Sequence, residues 1–303
     1  MAGGQERVLR RRIRSVQSTK KITKAMELIA ASQITRAQGR IAANKPYREG
    51  MARVVVEAAL GDPTAAEKLL GTPAEVHTVA VLAIVADRGL AGPYNSSVLR
   101  ATERLLADLD ERGVQRRLFS VGKKAQSYFR FREQPVERAF LGFSERPTFA
   151  DAQSVARVVA APFVAGEVDQ VLVVSTRFLS AGSQTVATEQ LLPIPDPFGA
   201  DEDPGSKRPR SLGYTEFEPD VDTLLAELAP KAIESELFTA LLEGAASFFT
   251  AQQRAMAAAS DNADELVRTL TRIMNRVRQD SITTEIMEIV GGAEALRRSA
   301  KGA

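Results

Sequence analysis

The chain has 303 residues, 44% hydrophobic and 26% charged, with a formal net charge of +2. That is room for two average domains and the composition of an ordinary globular protein, which excludes a disordered chain. No run approaches the roughly 18 consecutive apolar residues of a membrane span, the opening MAGGQERVLRRRIR has no apolar signal core, and the absence of cysteine excludes disulfides, thiolate metal sites and thiol nucleophiles, so residence in the cytoplasm is expected.

The first element predicted is a helix from about Gln5 to Leu60, ended by Gly61, Asp62 and Pro63. Pro46 lacks a backbone donor and is expected to kink it. At ~1.5 Å per residue the helix makes a rod of roughly 80 Å, too long for the interior of a compact domain. Its apolar positions Leu9, Ile13, Val16 and then Ile22, Met26, Ile29 step by threes and fours, with the polar stretch from Gln17 to Lys21 interrupting them. Residues 7 to 48 hold twelve Lys or Arg and one acid, Glu27. Such a basic rod is either a solvated face or one drawn to an acidic partner.

From Val76 to Gly213 short apolar runs alternate with amphipathic stretches, the pattern of a layered α/β unit. Strands are expected at Thr78 to Ala86, Arg117 to Val121, Gln170 to Thr176 and Gln184 to Leu191, with a weaker run at Val136 to Leu141. Helices fit Tyr94 to Glu111, Lys123 to Arg132 and Thr148 to Ala165. The near-continuous Val, Leu and Ile of the runs at 78 and 170 suggest strands covered on both faces, as in a parallel sheet with crossover helices. The run at 184 alternates and belongs at an edge.

Residues 195 to 213 are rich in Pro, Gly and charge and read as an exposed loop. Asp220 or Asp222 can then cap a helix carrying Leu224, Leu225 and Leu228, with Pro230 interrupting or kinking it. From Lys231 it is expected to run to the Gly291, Gly292 pair. Its seam is Ala245, Phe249, Gln252, Met256, Ala259, Ala263, Leu266, Leu270, Ile273, Val277, alternating four and three. A 3.5-residue average keeps a stripe on one side only if the helix winds around a partner. The N-terminal helix is the expected partner, closing antiparallel.

Local chemistry is sparse. DRGLAGPYN at 87–95 sits where the first strand turns into its helix, a place where glycine-freed amides bind phosphate in many α/β folds. It lacks the third glycine of a dinucleotide fingerprint and the Gly-Lys-Ser/Thr of a P-loop, so it reads first as a structural turn with Arg88 in an ion pair. The single histidine, His77, has exposed-looking neighbours, and no GxSxG elbow or metal-ligand spacing is present. Phosphate tracking by Arg10, Arg11, Arg12, Arg14, Lys20, Lys21 and Lys24 is the main rival, a nucleic-acid binder. It is weakened by the lack of any aromatic before Tyr47 and by apolar residues interleaved throughout. A nucleotide-dependent α/β enzyme is the third reading.

Three blocks carry a resemblance: the stretch around KKITKAMELIAAS at 20–32, DRGLAGPYN at 87–95, and Gln253 to Leu296 with QRAMAAASDNA and NRVRQDSITTEIMEIVGGAEAL. In content, order and separation they resemble the gamma subunits of F-type ATP synthases, over nearly the whole chain. Ala91 stands where many relatives have cysteine and Gln33 where a basic residue is common. The resemblance implies an α/β fold class: a long antiparallel coiled coil of N- and C-terminal helices plus a central Rossmann-like α/β domain, divided at 1–62, 74–215 and 216–303. It implies a rotor with no catalytic residue and no cofactor, one copy per complex, turning within a ring of alpha and beta subunits. The α/β domain rests as a foot with epsilon on the c ring, at the cytoplasmic face of the cell (inner) membrane, with no nucleic acid involved. By motif, Arg278 and Gln279 meet a beta loop, Met26 lies near the moving beta lever, and Lys20, Lys21 and Lys24 face acidic beta groups. Ile286, Ile289, Val290 and Leu296 turn in an apolar bearing, and Phe217 and Glu218 face epsilon or the c ring.

Overall fold

The computed structural model describes residues 2–61, 75–194 and 220–301. They fall into two compact units, Met1–Ile29 with Gln253–Ala303, and Ala30–Gln252. Two long helices, α1 (Ala2–Gly61) and α5 (Val221–Lys301), contribute to both.

The larger unit is built on a five-stranded sheet. In chain order it contains β1 (Thr78–Ile84), α2 (Tyr94–Glu111), β2 (Gln115–Val121), α3 (Lys123–Phe131), β3 (Arg138–Phe140), α4 (Phe149–Val164), β4 (Gln170–Phe178) and β5 (Gln184–Leu192). The strand order is β3-β2-β1-β4-β5. β1 pairs in parallel with β2 and β4, and β2 with β3, while β5 runs antiparallel to β4 at the edge. The weak run at 136–141 is therefore a real strand of three residues. The alternating fifth run takes the edge that its pattern predicts.

Why β1 reads as an unbroken apolar run is visible in what covers it. Its Ala80, Leu82 and Ile84 pack with Ala152, Val155 and Val159 of α4 and with Ile233, Leu237 and Leu241 of α5. On the other face, Val79, Val81 and Ala83 meet Val98, Leu106 and Leu109 of α2 and Ala125 and Phe129 of α3. Period-two alternation thus serves two apolar layers at once. Phe119, Phe129 and Leu237 are completely buried, each contributing about 1.5–3 kcal/mol by removal from water. A capping box fixes the start of α4, with Thr148 and Asp151 exchanging side-chain to backbone bonds.

Within this unit α1 and α5 run antiparallel. Asn44 Nδ2 donates to Thr239 Oγ1 at 2.9 Å and Arg48 pairs with Glu236 at 3.5 Å, so as one index rises the other falls. Ala30, Ile34, Ala37, Val55 and Ala58 of α1 are buried, at positions that fit steps of four and three. Neither Pro46 nor Pro230 ends its helix; each removes one backbone bond in a helix otherwise held by packing. At the start of α5 it is Asp220 that caps, accepting from Thr223 N at 3.0 Å and Thr223 Oγ1 at 2.9 Å.

The smaller unit is a helix pair, and its seam differs from the predicted one in a simple way. On α5, Met256, Ala263 and Leu270 are buried as expected. The intervening positions slip by one: Ser260, Val267 and Met274 face inward, whereas Leu266 and Ile273 are 40% and 44% exposed. On α1 the steps of three and four run through the polar stretch without a break: Ile13, Val16, Lys20, Thr23, Glu27, Ala30. Ile22 and Ile29 point out instead, each 59% exposed. Polar residues hold seam positions because each finds a partner on the seam or in its own helix, as described below. The predicted stop at Gly291, Gly292 is also corrected, since α5 continues to Lys301. Neither glycine takes the positive φ of a helix-ending cap, and the Ala-Glu-Ala-Leu that follows favours helix over the ~1 kcal/mol each glycine costs.

Candidate functional site

The helix pair of the smaller unit presents the first candidate surface. Two polar rungs tie its seam. Thr23 Oγ1 and Ser260 Oγ share a hydrogen bond of 2.7 Å with both residues buried, and Lys20 Nζ donates to Asp264 Oδ1 at 2.6 Å. One hydroxyl donates across the seam and the other donates to a carbonyl of its own helix, Thr23 to Lys20 O at 3.0 Å or Ser260 to Met256 O at 2.9 Å. A hydroxyl satisfied in this way can sit on a dry seam at little cost.

The predicted contact residues separate accordingly. Lys20 is committed to the seam by its ion pair, although 38% of its side chain stays exposed. Lys24 is held by Glu27 of the next turn at 3.0 Å. Lys21 is exposed and carries no ion pair among the described residues, and Met26 is half-buried. Arg278 and Gln279 both face outward, Gln279 using only its backbone carbonyl to accept from Thr283 Oγ1 at 3.0 Å. From Ile282 to Ala293 every side chain is exposed, including Ile286 at 54%, Ile289 at 71% and Val290 at 59%. Contiguous exposed apolar side chains of this kind are uncommon on a free protein surface. The side chain of Leu296 is outside the described ones, and Phe217, Glu218 and the loop at 195–213 lie outside the described residues altogether.

The turn at 87–95 is the second candidate, and its chemistry is already used. The Asp87 carboxylate accepts from the backbone amides of Lys123 at 3.0 Å, Gly142 at 3.0 Å and Ser144 at 3.2 Å, and from Ser144 Oγ at 2.7 Å. Burial works to raise its pKa, but the bonds from Ser144, Gly142 and Lys123 outweigh it and hold the carboxyl below the usual carboxylate range. The carboxylate at the end of β1 is thus tied to the turn after β2 and the loop after β3. Gly122 is required beside it: its φ is +97° and an added Cβ would stand 2.3 Å from Val85 O. Asn95 closes the turn, accepting from Ala86 N at 2.9 Å and donating to Arg88 O at 3.0 Å. Arg88 pairs with Glu145 at 3.4 Å, as the structural reading of the motif anticipates.

Strand order reverses between β1 and β4, which is where an open α/β sheet binds its ligand, in the crevice beyond the strand ends. Here the end of β1 is plugged. Ala86, Ala91 and Tyr94 pack with Ile34 of α1 and with Phe248 and Phe249 of α5. The Tyr94 and Phe248 rings meet edge-on at 5.7 Å, and a Cβ on Gly244 would lie 3.3 Å from the Tyr94 hydroxyl. At the end of β4, Glu243 accepts from Phe178 N at 3.1 Å.

Sequence reading missed the rungs Thr23, Ser260 and Asp264 and the clamp role of Asp87. Thr23 has a signal, since continuing the steps from Leu9, Ile13 and Val16 lands on Lys20 and Thr23; Ser260 and Asp264 each lie one position past the apolar steps at Ala259 and Ala263. The clamp has none, because its donors at 123, 142 and 144 are distant in the chain.

Together these features define an α/β protein with two long terminal helices and a sheet whose β1 end is closed by the chain's own side chains. Comparison places it further. The family model described as ATP synthase matches residues 5–296. The ATP synthase gamma chain of Parafrankia sp. (strain EAN1pec) is 46% identical over 98% of this chain and 99% of its own, and that of Frankia casuarinae is 48% identical over 97% and 98%. A cryo-EM structure of Euglena gracilis mitochondrial ATP synthase with OSCP, F1 and c-ring in rotational state 3 includes a chain of the same fold, with TM-score 0.68, 18% identity, and coverage of 99% of this chain and 97% of that one. The chain belongs to the ATP synthase gamma chain family, the non-catalytic central-stalk subunits of that complex.

Proposed function

We propose that this chain is the shaft by which rotation of a c ring is coupled to ATP synthesis, or to hydrolysis in reverse, at catalytic beta subunits that surround it. The observation that carries this is the unequal surface of the helix pair. One side exposes the cations of α1 with Ile22 and Ile29, another exposes Arg278 and Gln279, and the end of α5 is bare and apolar. A ring of identical subunits around such a pair meets a different face at each position, and only differential contact energy shifts an equilibrium between conformations. Turning the pair moves each subunit through that series.

In this reading Arg278 and Gln279 engage a beta loop, and Lys21, Lys24 and Met26 lie under the beta segments that move. Lys20 acts there only with what its Asp264 pair leaves exposed. Ile286, Ile289, Val290 and Leu296 run in an apolar collar, which resists tilting while offering few hydrogen bonds to break on rotation. Phe217 and Glu218 face epsilon or the c ring. The working division is 1–62 and 216–303 as the shaft and 74–215 as the foot, with one copy per complex among alpha, beta, epsilon and c subunits. No helix among the described residues is long and apolar enough to cross a membrane, in keeping with peripheral attachment at the cytoplasmic face through the complex.

The test is co-assembly with matching alpha and beta subunits and a bead fixed to the α/β body. Rotation in steps of about 120°, one per catalytic subunit of a threefold ring, is the expected result. Replacing Arg278 and Gln279 by alanine should slow it without changing assembly. Co-purification without rotation would reduce the role to assembly, and failure to join would bring the nucleic-acid reading forward.

A further inference from the structure

A cavity of about 390 Å3 opens in the larger unit between α1, α5 and the β4–β5 edge. Its floor is apolar, with Val55, Val173, Leu191, Ile194, Ile233 and Leu237. Its polar wall holds three carboxylates, Glu189, Glu236 and Glu243, against two guanidiniums, Arg48 and Arg177. The guanidiniums are unevenly spent. Arg48 lies 3.5 Å from Glu236, whereas Arg177 donates to Glu189 at 2.9 Å and reaches Glu243 only at 3.7 Å. Glu243 is 9% exposed, and its other polar contact is the amide of Phe178 at 3.1 Å. A buried carboxylate with half a counter-ion is costly, and burial pushes Glu243 above the usual range, as it does Glu236.

We propose that this cavity is a binding site for a small organic monoamine, with the ammonium on Glu243 and the apolar body on the floor. One positive charge completes the balance of three carboxylates and two guanidiniums, and a charge-assisted bond to Glu243 supplies what Arg177 shares away. The volume is that of a pocket for a fragment-sized ligand, apolar with a few placed polar groups. An anion would face the uncompensated carboxylate. A divalent metal is disfavoured as well, because no group of three or more potential ligands gathers among the described residues. Glu236 and Glu243 are also two helical turns apart, roughly 10 Å along the axis.

Equilibrium dialysis of phenethylamine against the assembled complex tests this, with the isosteric neutral alcohol 2-phenylethanol as comparison. Expected are one saturable site per copy of this chain and binding of the alcohol weaker by about tenfold or more. Glu243→Gln should weaken the amine to the level of the alcohol, and Ala52→Phe, which fills the cavity from α1, should abolish both. Absence of a saturable site, equal binding of amine and alcohol, or unchanged binding in both variants overturns the proposal. The amine and alcohol comparison uses the unaltered chain, so it decides even if a variant fails to assemble.

Discussion

Residues 241–250 and 282–293 of α5 lie in one helix, and the contrast between them is complete. All ten residues of the first stretch are buried; all twelve of the second are exposed. Between them only Met256, Ser260, Ala263 and Leu270 are buried, the other seam positions being half-buried. In the larger unit α5 packs against the sheet core and, over the first stretch, is buried on every side, with Glu243, Ser247 and Thr250 among its buried residues. In the smaller unit it is held by one narrow stripe, which leaves most of its circumference for other molecules. Helical periodicity alone does not distinguish these situations; the width of the buried face does.

If stability resides in the larger unit, the largest effect should come from its core. Phe119→Ala removes a completely buried ring and should cost about 3–5 kcal/mol, read as a lower urea midpoint of the full chain. Next is the clamp. Asp87→Ala strips the bonds from three loop amides and should cost about 2–4 kcal/mol. Because the folded pKa of Asp87 is depressed, its contribution is present above the unfolded value near ~3.9 and is lost as pH falls through the folded value. The gap between wild type and Asp87→Asn should therefore close in acid; a gap that widens would contradict the assignment.

The seam should respond more weakly. Thr23→Val leaves Ser260 its backbone bond to Met256, so a loss of about 1 kcal/mol is expected, mostly recovered by adding Ser260→Ala in a double-mutant cycle. Lys20→Ala breaks an exposed pair and should change stability by less than about 1 kcal/mol, an effect that fades in high salt. A large Lys20 effect would mean that the smaller unit depends on its ion pair rather than on its apolar stripe.

Much of the fold is written locally. The near-continuous apolar runs of β1 and β4 and the alternation of β5 each carry their own signal, and the three motif blocks carry the family. What escaped reading is where polarity and packing disagree. Ile22, Ile29, Leu266 and Ile273 look like seam residues because they are apolar, yet Lys20, Thr23 and Ser260 hold the stripe since each has a partner on the seam or in its own helix. Gly291 and Gly292 read as a stop because glycine usually ends helices, and only φ decides that. The acidic wall of the cavity joins Glu189 of a strand to Glu236 and Glu243 of a helix, a meeting that spacing along the chain does not announce.

The Asp87 clamp also has a mechanical consequence. One carboxylate ties the end of β1 to the turn after β2 and to the loop after β3, through the amides at 123, 142 and 144. Because that carboxylate is part of the chain, the tie needs no ligand to stay closed, and a load applied to any one of the three segments is shared by the other two.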